Sequence, residues 1–104
     1  MSGPELTVGG GVIKETVSLA AFGIPGVARV SRGGPAWRAA LTGPAVITRL
    51  SDDGVRVRVW IVARPGQPLV TLAGDVRTAV AAAVERLLGL RLESVTVTVD
   101  GVGG

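Results

Sequence analysis

Arg56, Arg58 and Trp60 stand two residues apart in "GVRVRVWIVARPG", Gly54 to Gly66. On a β-strand, residues at i, i+2 and i+4 share one face. This spacing therefore gathers two guanidiniums and an indole on one surface, opposite Val55, Val57, Val59 and Ile61. A guanidinium fork bonds two oxygens of a carboxylate or phosphate at once. An exposed indole offers the large apolar area that anchors many protein interfaces. The chemistry open to such a patch is recognition.

Turnover needs other groups, and the chain supplies few of them. Its 104 residues include no His, no Cys and no Tyr, and Lys14 is the sole lysine. The commonest general base and the commonest zinc ligand are thus missing. So are disulfides, thiolate nucleophiles and sulfur-held metals. Asp52 and Asp53 are adjacent carboxylates, but neighbours in a turn do not converge on one point, and turn chemistry accounts for them. "VGGGVIKE" sets three glycines before a helix, where N–H groups can hold a phosphate. It lacks the Gly-Lys-Ser/Thr of a P-loop and the glycine spacing of a dinucleotide fold, so a turn into the helix is the simpler reading. Asp75, Glu85, Lys14 and Glu15 read as solvated helix faces. No hydroxyl has a base to activate it. The expectation is a protein that is not an enzyme, with no catalytic residue, no cofactor and no metal.

The elements that must position the Arg/Trp surface follow from periodicity and punctuation. Leu6 to Val8 reads as a short strand. Val12 to about Phe22 reads as a helix, with Ile13, Val17, Ala20 and Ile24 at helical spacing. Pro25–Gly26 closes it, and Val27 to Arg32 reads as a strand. "GGPAWRAALTGP" is a loop bounded by Gly and Pro at both ends, with a single helical turn expected from Pro35 past Trp37. Ala45 to Leu50 and Val55 to Ala63 form a hairpin through "SDDG", in which Ser and Asp open the turn and Gly54 supplies the positive φ. That loop length sets Leu50 opposite Val55, Thr48 opposite Val57 and Val46 opposite Val59 on the buried face. On the other face it sets Arg49 opposite Arg56, Ile47 opposite Arg58 and Ala45 opposite Trp60.

Pro68 marks the first turn of a second helix that runs to about Leu88, with Leu69, Leu72, Val76, Val80, Ala83 and Leu87 as its apolar stripe. Gly89 fits a left-handed cap followed by apolar Leu90. "ESVTVTVDGV" then alternates, with Val95, Val97 and Val99 inward. The sum is an α+β single domain, residues 1–104, in β-α-β-β-β-α-β order: a small, mostly antiparallel sheet with two helices packed on one face. The step through the second helix is expected to be a right-handed βαβ crossover.

Charge narrows the partners. The net charge is +3, and the high pI of about 11.1 largely reflects that ten of eleven basic residues are arginine. No two basic residues are adjacent, unlike the clustered Lys and Arg of nucleic-acid binders. No stretch is apolar enough to span a bilayer, and "MSGPELTV" lacks the basic region of a signal peptide. A cytoplasmic chain without direct membrane insertion is expected. Arg49 opposite Arg56 is a like-charge cross-strand pair, which is mildly unfavourable. Either a nearby carboxylate such as Asp100 or a partner should offset it. Ile47, Arg49, Arg56, Arg58 and Trp60 are therefore the candidate partner-binding residues, with another protein, a second copy included, as the expected partner. A structural reading stands beside this one: Trp60 caps the sheet edge or lies beneath the Trp37 loop. The alternative function is a small RNA-binding module that stacks bases on the Arg/Trp face. One aromatic and no basic cluster weigh against nucleic acid.

The order of motifs resembles a known family. "VIKETVSLAAFGIPGV", a strand, a variable Gly-rich loop, the hairpin and "VERLLGLRLESVTVTVDGV" are similar to the bacterial alkaline-shock proteins, also called envelope stress response proteins. The Ala20–Ala21 helix running into Pro25–Gly26–Val27, and Val84…Gly89–Leu90 followed by Val95-x-Val97-x-Val99, carry the likeness over roughly residues 6 to 102. The resemblance implies a small non-enzymatic cytoplasmic domain linked to cell-envelope homeostasis and stress. In some members a separate anchoring protein brings it to the membrane, and some members self-assemble. It brings no catalytic residues to this chain.

Overall fold

The computed structural model describes residues 9–34 and 43–103. Its elements are α1 (Gly10–Phe22), β1 (Val27–Val30), β2 (Val46–Ser51), β3 (Gly54–Ala63), α2 (Leu69–Ala82) and β4 (Leu92–Val102). This is the expected α+β succession. The expected strand at Leu6 to Val8 and the helical turn from Pro35 past Trp37 lie outside the described residues.

β3 is the hub of the sheet. β2 pairs with it antiparallel from Val46↔Val59 to Ser51↔Gly54. β1 pairs with it antiparallel from Val27↔Ala63 to Val30↔Ile61. The main chain of Trp60 shows how these two strands relate. Its N–H donates to the Ala45 carbonyl (2.8 Å) and its carbonyl accepts from the Ser31 N–H (3.0 Å). A residue's N–H and C=O point to the same side of a strand, so β2 and β1 lie end to end along one edge of β3. β4 occupies the other edge and runs parallel, from Val55↔Leu92 to Ala63↔Val102. A parallel neighbour requires a crossover, and α2 provides it.

Both helices cover one face of this sheet, α1 over β1 and β2 and α2 over β4. The odd-numbered side of β3 supplies the floor of the core: Val55, Val57, Val59 and Ile61 are all 0–1% exposed. Ile13, Val17 and Ala21 descend from α1, and Leu72, Val76 and Val80 from α2. Each fully buried Val or Leu contributes about 1.5–3 kcal/mol relative to exposure. Ala21, rather than Ala20, completes the buried stripe of α1; Ala20 and Ile24 pack at its margin.

Three expectations about the core need correction. Leu50 keeps its register opposite Val55 but is 62% exposed. Burial falls steadily along β2 away from Val46, because the helix layer ends short of the hairpin turn. Leu87 is 78% exposed, while Val84 is fully buried. A π-helical turn at Ala83–Leu87, closed by Leu88 N–H to the Ala83 carbonyl at 3.2 Å, inserts an extra residue and rotates the stripe. Leu69, at the first position of α2, is 40% exposed. Gly89 adopts the expected left-handed conformation, φ 64°.

Candidate interaction surface

The face of the sheet turned away from the helices carries the even-numbered side chains of β3. The hairpin sets its geometry. Asp52 and Asp53 form the turn, Ser51 and Gly54 close it, and Gly54 takes φ 125°. The register is the one the sequence predicts, with Arg49↔Arg56 and Ile47↔Arg58. β4 then lays Ser94 beside Arg56 and Thr96 beside Arg58. Ile47, Arg49, Arg56, Arg58, Glu93, Ser94 and Thr96 line a trough of about 590 Å³. Four of the five candidate residues are brought together in it.

The like-charge pair is offset within the chain, by Glu93 rather than Asp100. Arg56 Nη2 donates to Glu93 Oε1 at 2.8 Å, with the Arg56 side chain 62% exposed. The β4 register shifts between the partners of Val55 and Arg56, and this irregularity at Glu93 breaks the alternation and lets its carboxylate meet the arginine. The hydrogen bond to Arg56 holds the Glu93 carboxyl below the usual carboxylate range, against the opposing effect of desolvation and with help from the charges of Arg56 and Arg91. The same bond, with the Glu93 charge, raises Arg56 above its ordinary value. Glu93 is therefore engaged by Arg56, and among the described residues Arg49 and Arg58 make no ion pair.

Trp60 requires a further correction: it is 8% exposed and contributes no open apolar surface. Ser31–Gly34 forms a strap that leaves the end of β1 and crosses β3 to reach β4. Arg32 lies over the indole, its guanidinium carbon 3.7 Å from the ring centroid, and Arg58 approaches to 5.0 Å. Arg32 Nε also donates to the Pro44 carbonyl at 3.0 Å. The Gly33 N–H donates to Asp100 Oδ2 at 2.8 Å, so Asp100 is engaged far from Arg49. A Cβ on Gly33 would overlap the Asp100 carbonyl, so only glycine fits there. Val62, next on the same side of β3, is 2% exposed.

Ser94 and Thr96 were within reach of the sequence, since the βαβ step places β4 beside β3 and its even positions on this face. Glu93 and Arg32 were not, because an irregular residue in β4 and a crossing strap leave no periodic signal. Among the described residues, no group of three or more His, Cys, Asp or Glu could hold a metal ion, and no helix is long and apolar enough to cross a membrane.

Fold and surface together define a small α+β domain that presents a charged sheet face. A family profile covers nearly the whole of this chain. The chain belongs to the alkaline-shock-protein family, of cell envelope-related function, whose profile matches residues 3–103. None of the curated proteins matches it. Solved structures of MamM CTD share the fold. A zinc form is 21% identical with TM-score 0.57, covering 88% of this chain and 84% of that one. A nickel form is 21% identical with TM-score 0.57, covering 88% and 96%. A manganese form is 22% identical with TM-score 0.56, also covering 88% and 96%.

Proposed function

We propose that this member of the alkaline-shock-protein family is a non-enzymatic interaction protein of the cell envelope stress type. It acts from the cytoplasm and docks an acidic protein partner in the trough between Arg49 and Arg58. The observation that carries this reading is the charge imbalance: three guanidiniums line the trough with a single carboxylate, which is taken up by Arg56, and Ser94 and Thr96 add hydroxyl donors. An acidic segment would bridge Arg49 and Arg58 by bidentate contacts, while Ile47 offers an apolar patch beside them. The family's cell envelope-related function supports a role near the membrane reached through such a partner. The burial of Trp60 under Arg32 removes the aromatic on which the RNA-binding alternative depended.

The test is cross-linking of tagged wild type and Arg58→Glu in native cells, followed by gentle fractionation. Wild type should capture a protein with an acidic surface segment, and Arg58→Glu should lose it. Membrane-associated wild type should be released by salt, which screens exposed charges. The same captured set from both chains, or release only by detergent, would sink the proposal.

A further inference from the structure

The outer edge of β4 offers a second surface, independent of the trough. Trp60 spends its main-chain groups on the β1–β2 side, so the odd-numbered residues of β3 turn theirs toward β4. In the parallel register Val57↔Val95, Val59↔Val97 and Ile61↔Val99, the N–H and C=O groups of Val95, Val97 and Val99 therefore point away from β3. Among the described residues no strand pairs with that edge. Proteins normally guard such edges with lysine, proline, bulges or a covering element. Between Ser94 and Val99, β4 has neither lysine nor proline, and its register shifts fall outside that stretch.

The sequence of β4 is matched to itself. Val97 is the midpoint of Leu92–Val102. Antiparallel pairing of two copies about Val97 sets Thr96 against Thr98, Val95 against Val99 and Ser94 against Asp100 over the whole strand. No like charges fall directly opposite, and the Thr–Thr and Val–Val pairs are of a kind that stabilises sheets. Above this edge, Leu69, Val70, Ala73, Gly74 and Arg77 of α2 line a groove of about 450 Å³ with Val97 as its floor. Val70 is 90% exposed there. A strand of this length spans roughly 35 Å, and the sheet with its helix layer is roughly 20 Å thick. The footprint is then roughly 700 Å² per copy, close to the ~800 Å² per partner of a standard stable interface.

We propose that the chain forms a two-fold dimer in which β4 pairs antiparallel with β4 of a second copy, centred on Val97, joining two sheets into one. The α2 helices meet over the join, and each trough stays open on the far face. Sedimentation of the full chain over a concentration series tests this. Wild type should run as a dimer. Val97→Pro removes an N–H that the monomer does not use and cannot donate across the new ladder. Val70→Asp places a charge where the second copy's α2 would rest. Each should raise the dissociation constant at least about tenfold with unchanged circular dichroism, while Arg58→Glu remains dimeric. If Val97→Pro fails to fold, Val70→Asp decides alone, because its side chain is exposed in the monomer. A wild type that is monomeric at every concentration, a dimer that survives Val70→Asp, or one lost only in Arg58→Glu overturns the proposal. Partner capture by the trough is read separately, so the two readings fail by different observations.

Discussion

The two halves of the open sheet face begin from the same alternation and end in opposite states. Toward the hairpin turn, Arg56 and Arg58 remain exposed beside Arg49. Toward the other end, Trp60 and Val62 are buried on the same side of the same strand. The difference lies in a segment distant in sequence. Ser31–Gly34 crosses one half and is held by Gly33 to Asp100 and Arg32 to Pro44, while the described chain leaves the other half bare. Alternation therefore tells which face a side chain takes, and the path of the connecting chain tells whether that face is wet.

The strongest way to break this comparison is Trp60→Ala. Were Trp60 part of the open half, its removal would leave stability unchanged. As a buried side chain under Arg32 it should cost about 3–5 kcal/mol, read from denaturant midpoints. Gly33→Ala comes next. The new Cβ meets the Asp100 main chain, which cannot swing aside like a flexible side chain, so the strap must lift. A loss of about 1–3 kcal/mol is expected. Emission of Trp60 should shift to the red in a Trp37→Phe background. An unshifted spectrum with full stability would show that the strap does not seal the indole.

The smallest effect sharpens the open half. Glu93 has its carboxyl lowered in the fold by the Arg56 hydrogen bond, so its contribution is present above the unfolded value of about 4.3. It is lost as pH falls through the lower folded value. Thermal melts of wild type and Glu93→Gln should differ slightly at neutral pH and low salt, and converge in acid. Salt should nearly abolish the difference, because the pair is exposed. A gap that persists in high salt would mean that Glu93 is held more deeply than its contacts indicate.

The hairpin was legible because a short turn flanked by alternating strands leaves one register that buries Val57 and Val59. That register in turn brought Ile47, Arg49, Arg56 and Arg58 together. The βαβ step was legible from the cap at Gly89 and the alternation after it. What escaped was non-periodic or non-local. Gly33 meets Asp100 across 67 positions of sequence, and one irregular residue in β4 turns Glu93 toward Arg56. The π-turn at Ala83–Leu87 adds its residue without any marker in composition.

The central place of β3 also has a consequence in time. Each of the other strands is completed only by β3, yet β1 precedes its partner residues by about 30 positions, from Val30 to Ile61. At the ~5–20 residues per second of protein synthesis, β1 leaves the ribosome roughly 2–6 s before the strand that shelters it, and the apolar side of α1 emerges earlier still. Their exposed valines and isoleucine are then open to chaperones or to a neighbouring nascent chain. The arrival of Gly54–Ala63 closes that window on the β1 side. β4 follows α2 and docks last.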